Sequence, residues 1–205
     1  MFMNKLKIII HPSFLILLLI GLYGGFIKEV VSFSIIVFLH ELGHFIAAKI
    51  FKVNYYSIHL TIIGCMIDLE DFSNLHLVKQ TIINCAGIVI NVILIICFSI
   101  LNMELLVEYN KLMIFINLIP IFPLDGYKLI YSSLNNFFDD EYTVDCLFYL
   151  SLILIVILLF IIFILKLYGY LLIVSFLLYK TIEYKSYTRK KRMHNFLKIK
   201  RMLFS

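Results

Sequence analysis

The sequence predicts an all-α membrane protein with about six transmembrane helices and one short β-like segment near residues 55-70. Hydrophobic residues make up 62% of its 205 residues and charged residues only 15%. The mean hydropathy is +1.01, which is too apolar for a soluble domain of this size. The apolar residues also form runs of about the 20 residues that a helix needs to cross a bilayer.

The apolar runs define the membrane topology. They lie at about residues 8–26, 30–51, 80–101, 110–131, 145–165 and 167–184. We expect residues 1–184 to form one polytopic membrane domain and residues 185–205 to form a basic cytoplasmic tail. With both termini in the cytoplasm, the inner segments carry fifteen Lys and Arg residues and the outer segments three. The positive-inside rule therefore predicts a multi-pass integral membrane protein with both termini cytoplasmic.

The second run contains the stretch VFLHELGHFI, which places ionisable groups where hydrocarbon makes them costly. Residues four apart share one face of a helix, so His40 and His44 can offer two imidazoles to one metal ion. Glu41 lies about 100° around the helix and can reach a water on that metal. Zn²⁺ suits two histidines and a carboxylate, because a fourth position stays open for water. The alternative is three polar residues that satisfy one another in a helix interface.

A third ligand must come from elsewhere, and the outstanding candidate is Asp125 in the stretch NLIPIFPLDGYKL. Pro120 and Pro123 break the predicted helix, and Gly126 is expected to permit an unusual backbone turn. Irregular backbone at membrane depth is tolerated only where protein or water covers it. The break therefore indicates a site, although Asp125 could instead cap the fourth helix at the membrane interface.

Three motifs in order resemble the site-2 proteases, a family of intramembrane zinc metalloproteases. They are HELGH at 40–44, AGIVIN at 86–91 and NLIPIFPLDG at 117–126, and the resemblance covers about residues 8–131. It implies that His40, His44 and Asp125 bind zinc and that Glu41 is the catalytic base.

The resemblance also implies residues that hold the substrate backbone. The middle motif of the family normally reads Gly-Pro-x-x-Asn. Gly87 and Asn91 match it, while Ile88 replaces the proline; Tyr127 stands where a second glycine usually follows the last motif. Asn91 and Asn117 would lie near the zinc. The alternative is that both amides hydrogen-bond neighbouring helices.

The segment between the second and third runs has β-branched residues on both sides of Gly64. This composition predicts a hairpin or re-entrant strand at the cytoplasmic rim. A protease must unwind a helix before it reaches a peptide bond, so an exposed strand edge near Gly64 could bind the extended substrate by β-addition. The alternative is an ordinary amphipathic loop.

The resemblance and the charge of the C-terminal tail both predict binding partners. The small size, the six-span layout and HPSF at 11–14 are similar to the sporulation branch of the family. That branch implies a membrane-associated protein substrate such as a pro-sigma factor, and a membrane-embedded inhibitor. The tail carries eight basic residues and no acid. Its position beside a membrane favours anionic lipid over direct contact with nucleic acid.

These observations together predict a zinc metalloendopeptidase that cleaves a membrane-associated precursor near the cytoplasmic face. A metal-binding transporter or a catalytically inactive scaffold could use the same ligands. Transport would require polar residues leading from His40 toward the outer face. The outer halves of the predicted spans are nearly bare of such residues, which favours the protease.

Overall fold

The computed structural model describes residues 7–10, 18–19, 21–53, 55–61, 64–69 and 75–203. For residues 7–10, 55–61, 64–69, 168 and 194–203 the description is of the backbone alone. Contacts between Cα atoms divide the chain into two compact units, residues 1–118 and 119–205.

The described part of the first unit contains a small sheet and three long helices, besides helical residues at 18–19 and 21–23. Its elements are β1 (Lys7–Ile10), α1 (Ile27–Ile50), β2 (Tyr55–Thr61), β3 (Gly64–Leu69), α2 (Leu77–Ile100) and α3 (Glu104–Asn117). The sheet has the order β1-β2-β3; β1 pairs with β2 in parallel and β2 with β3 in antiparallel fashion. The strands β2 and β3 occupy the region near residues 55-70 where the sequence predicts a β-like segment.

Helix α1 lies at the centre of this unit, because it packs on α2, α3 and β3. Its C-terminal half packs against α2 through a cluster that includes Ala48 and Ile83. Its middle packs against α3 through Ile36, Val37 and Met113. A Cβ at Gly43 would lie 2.7 Å from the carbonyl oxygen of Ala86 on α2. Glycine at this position therefore allows the backbones of α1 and α2 to approach closely.

The second unit begins with an irregular segment, residues 119–124, and continues as three helices. These are α4 (Asp125–Leu134), α5 (Asp140–Ile164) and α6 (Leu171–Leu203), with a 3₁₀ turn at Tyr168–Tyr170 before α6. Ion pairs join α5 to the distal half of α6. Lys185 pairs with Asp145, and Arg192 pairs with Glu141 at 2.9 Å.

The described residues contain three helices that are long and apolar enough to cross a membrane, namely α1, α2 and α5. The predicted span 110–131 is instead two helices, α3 and α4, with a non-helical break between them. The predicted first span is wrong at its start, because residues 7–10 form a strand, and residues 11–17 and 20 lie outside the described part. Helix α6 continues past residue 185 without a break. The total of six spans therefore stays a prediction.

The expected turn at Gly126 is also wrong. Gly126 lies inside α4 with helical backbone, one residue after Asp125. The break is made by the two prolines before it, which have no N–H to continue α3. The backbone is extended at Leu124 and becomes helical at Asp125.

Candidate metal centre

The two histidines of HELGH lie on one face of α1 and are nearly inaccessible, with exposed fractions of 1% for His40 and 7% for His44. They are four residues apart, which brings their rings together at a centroid separation of 4.9 Å. The intervening residues follow the same helix without interruption. Local helix geometry alone therefore forms this pair, as the spacing predicts.

Each histidine is oriented by an acceptor on α2. His40 Nδ1 lies 3.1 Å from Asn91 Oδ1, and His44 Nδ1 lies 2.7 Å from the carbonyl oxygen of Ile83. Carbonyl and amide oxygens only accept hydrogen bonds, so each Nδ1 must be the atom that carries a proton. In the neutral imidazoles, both Nε2 atoms therefore keep their lone pairs.

The two Nε2 atoms lie 3.2 Å apart. Two unprotonated nitrogens at this distance repel each other unless a proton or a metal cation lies beside them. Two nitrogens bound to one tetrahedral Zn²⁺ at about 2.0 to 2.1 Å are separated by roughly 3.3 Å. The orientation and the separation of the histidines thus both fit a metal ion. A backbone or side-chain acceptor on Nδ1 is also the usual partner of a metal-binding histidine.

Gly87 of α2 faces this pair. A Cβ built on Gly87 would lie 2.4 Å from His44 Nε2 and 2.6 Å from His40 Nε2. Any larger residue would therefore occupy the space beside the two Nε2 atoms. The sequence predicts Gly87 as a substrate-binding residue, and this role stays a prediction.

Asp125 is the first residue of α4, and only 2% of it is exposed. Its Oδ1 accepts a hydrogen bond from Lys128 Nζ at 2.8 Å, one turn further along α4. The N-cap of α4 is Leu124, with no side-chain capping bond, so Asp125 is not an N-cap. A carboxylate is a common zinc ligand, and the place of Asp125 beside His40 and His44 stays a prediction.

The remaining candidate residues have separate positions. Glu41 lies on α1 between the two histidines and is half-buried. Asn117 ends α3, is 7% exposed, and donates a hydrogen bond to the Met113 carbonyl oxygen of its own helix at 3.1 Å. Gly64 is the first residue of β3 and pairs with Thr61. These placements do not test a substrate-binding role for Asn117 or Gly64.

Sequence reasoning missed three contributions to the centre. The Ile83 carbonyl carries no side-chain signal, and the bond from His40 to Asn91 joins residues 51 positions apart. Asn91 is fully buried, and its Nδ2 has no hydrogen-bond partner among the described residues. Lys128 could have been found, because it lies three residues after Asp125 on the same helix.

Comparisons with known proteins show what the chain is similar to. Residues 28–109 match peptidase family M50, a range that includes the two histidines, Glu41 and Asn91. The chain is 32% identical over 143 residues to the stage IV sporulation protein FB of Bacillus subtilis (strain 168), a match that covers 63% of this chain and 50% of the relative. The chain thus spans about half the length of this curated relative.

The fold has a counterpart among solved structures. It is similar to the site-2 protease from Methanocaldococcus jannaschii, with a TM-score of 0.71 and 22% sequence identity. The match covers 89% of this chain and 92% of that chain, and it concerns the fold alone. Residues 28–109 are thus similar to peptidase family M50, and the fold is similar to that of a site-2 protease.

Proposed function

We propose that this chain is a zinc-dependent endopeptidase of the membrane, which hydrolyses a peptide bond of a membrane-associated precursor protein. The observation that carries the proposal is the pair of Nε2 atoms, 3.2 Å apart with both Nδ1 atoms bound to acceptors. This orientation of the pair supports metal binding. If His40 and His44 only joined helices through polar contacts, their Nε2 lone pairs would not need to lie on the same side.

The roles of the residues follow from their chemistry. His40, His44 and Asp125 would hold the zinc ion, which when bound polarises a carbonyl group and lowers the pKa of a water. Glu41 accepts a proton from the attacking water as its oxygen adds to the scissile carbonyl carbon. Glu41 then returns that proton to the amine nitrogen as the peptide C–N bond breaks. Its half-buried position beside the histidines is consistent with this transfer.

Asn91 has a double role in this proposal. Its Oδ1 holds His40, while its buried Nδ2 is a donor with no partner among the described residues. An extended substrate segment offers backbone carbonyl oxygens that such a donor would satisfy. We propose that Asn91 Nδ2, together with Asn117 at the end of α3, holds the substrate backbone.

The sheet supports a binding mode for the substrate. Among the described strands, β3 lies at an edge of the sheet. It packs against α1, the helix that carries the histidines. An unfolded substrate segment would pair along β3 from Gly64 onward and so present its peptide bonds in extended form. Main-chain pairing of this kind gives affinity without a strict sequence requirement.

The cellular setting is part of the proposal. The lysine and arginine asymmetry supports cytoplasmic termini and hydrolysis near the cytoplasmic face. The relative named for sporulation supports a sporulation role. The resemblance of the motifs implies a pro-sigma factor as substrate and a membrane-embedded inhibitor as regulator. The distal half of α6 carries Arg189, Lys190 and Lys191, which favours contact with anionic lipid and not with nucleic acid.

Purified protein in detergent tests the proposal with two measurements, metal content and cleavage of a candidate membrane precursor. We expect one zinc per chain in the wild type and in Glu41→Gln, but cleavage only in the wild type, because glutamine cannot accept the proton. Glu29→Gln on the exposed N-terminal turn of α1 is the matched control and should cleave normally.

The ligand variants separate metal binding from proton transfer. His44→Ala and Asp125→Ala should each lose zinc as well as cleavage, while His76→Ala, which removes an exposed histidine at the start of α2, should lose neither. Undiminished zinc in both ligand variants would refute the metal centre. Cleavage by Glu41→Gln near the wild-type rate would remove Glu41 from its role and would favour a different base.

A further inference from the structure

The break before Asp125 leaves backbone groups that need partners. Residues 118–124 read LIPIFPL, and the two prolines lack N–H donors. Within the segment, Ile121 N–H donates to the Ile119 carbonyl and Leu124 N–H donates to the Ile121 carbonyl, both at 2.8 Å. A carbonyl that is buried in apolar surroundings without a donor is destabilising. The carbonyls of Pro120 and Phe122 therefore require donors from elsewhere.

Hydroxyl groups of α5 and α6 reach these two carbonyls. Ser151 Oγ donates to the Pro120 carbonyl oxygen at 3.2 Å, and Ser151 is fully buried. Thr181 Oγ1 lies 3.3 Å from the Phe122 carbonyl oxygen and 2.8 Å from the Leu177 carbonyl oxygen of its own helix. A hydroxyl has one proton, so Thr181 shares it between the two acceptors.

A ring contact holds the same segment. The aromatic rings of Tyr184 on α6 and Phe122 are stacked, with centroids 4.2 Å apart and an interplanar angle of 15°. Tyr184 also lies edge-on to Tyr127, two residues after Asp125, at a centroid distance of 5.8 Å. Phe122 precedes Asp125 by three residues, so these contacts bracket the carboxylate along the chain.

We infer that Ser151, Thr181 and Tyr184 are positioning residues that hold the segment leading into Asp125 and so fix the place of its carboxylate. The inference rests on the proposed metal centre. All three lie outside residues 28–109, the part of the chain that matches family M50. A metal ligand tolerates displacements of only about 0.5 Å, so a segment without regular backbone bonds needs such support.

The test measures zinc affinity of the full chain in detergent by competition with a chromophoric chelator, together with the visible spectrum after Co²⁺ replaces Zn²⁺. Ser151→Ala and Thr181→Val keep the side-chain volume close to the original and remove the donors. Each should weaken zinc binding by about 10-fold, and the pair by up to about 100-fold. The Co²⁺ band should shift, because the coordination geometry changes.

Conservative and matched variants separate positioning from general stability. Thr181→Ser keeps the hydroxyl, and Tyr184→Phe keeps the ring. Both variants should bind zinc as the wild type does. Ser175→Ala on α6 removes a hydroxyl that donates to the Leu172 carbonyl of its own helix. Thr143→Val on α5 removes a buried hydroxyl without a described partner. Both controls should leave affinity and spectrum unchanged.

The outcomes distinguish this inference from the proposed function. Wild-type affinity and spectrum in Ser151→Ala and Thr181→Val, with zinc lost in His44→Ala, would overturn the positioning role and leave the metal centre intact. A wild type that binds no zinc would overturn both. If the double variant does not fold, the two single variants decide.

Discussion

Replacement of Gly87 by alanine tests the metal centre through space alone, because it removes no ligand and no hydrogen bond. The new Cβ would lie 2.4 Å from His44 Nε2 and 2.6 Å from both Cε1 and Nε2 of His40. Ordinary contact begins at 3.4 Å, so the methyl group and His44 would have to separate by about 1 Å. That shift is about twice the displacement that the residues of a functional site tolerate.

We expect Gly87→Ala to weaken zinc binding about 100-fold, the upper end of effects seen when the supports of a metal ligand are lost. Global stability should change much less. Overpacking typically costs about 1 to 3 kcal/mol, while alanine favours a helix over glycine by up to about 1 kcal/mol. The assay is chelator competition for Zn²⁺, with thermal unfolding of the metal-free protein measured in parallel.

Two other glycines provide comparisons for Gly87→Ala. Gly169→Ala places its Cβ where nothing lies within 4 Å and should change neither quantity. Gly43→Ala meets the Ala86 carbonyl and Ile90, not the histidines, and should lower stability more than zinc affinity. Wild-type zinc affinity in Gly87→Ala would show that the histidine pair is not the metal centre or that α2 does not lie against it.

Two further predictions concern the support of His40 and the topology. Asn91→Leu should lower zinc affinity by about 10- to 100-fold, since His40 loses its acceptor. Asn91→Asp keeps an acceptor and should retain zinc. Equal zinc affinity in the two variants would contradict the assigned tautomer of His40. In a cysteine-free background, Phe137→Cys, in the loop before α5, should react with an impermeant thiol reagent from the cytoplasmic side. Met103→Cys, in the loop before α3, should react from the opposite side, and labelling of both positions from one side would refute the predicted orientation.

The parts of the site that the sequence predicts are those formed by local geometry. His40 and His44 meet because they are four residues apart on one helix, and Asp125 was found because two prolines precede it in an apolar run. The orientation of the histidines was not predictable in this way. It depends on Asn91 and on the Ile83 carbonyl, which lie 51 and 39 residues from the histidines that they contact. The sequence predicts that Asn91 either holds substrate or hydrogen-bonds a neighbouring helix, but its motif does not identify His40 as the partner.

The helix boundaries, like the site, are predicted from the sequence only in part. Hydropathy places the end of the last apolar run at residue 184, but α6 continues to Leu203. Hydropathy reports where apolar side chains stop, and helix formation depends on the backbone and on side-chain pairs. Residues 171–203 contain no Gly or Pro, and Lys180 pairs with Glu183 one turn away at 2.7 Å. Ion pairs from Lys185 and Arg192 to α5 then support the polar half of α6.

The irregular segment before Asp125 explains why its support was invisible in the sequence. A proline in the sequence shows that its own position lacks an N–H donor. It does not indicate which group will donate to the backbone carbonyl that this missing N–H leaves without a partner. Serine and threonine in apolar helices usually bond the carbonyl four residues earlier, as Thr181 does in part with Leu177. Ser151 and Ser175 are therefore indistinguishable in the sequence. Only Ser151 contacts the segment, across 31 residues, so removal of these two hydroxyls should affect zinc binding differently.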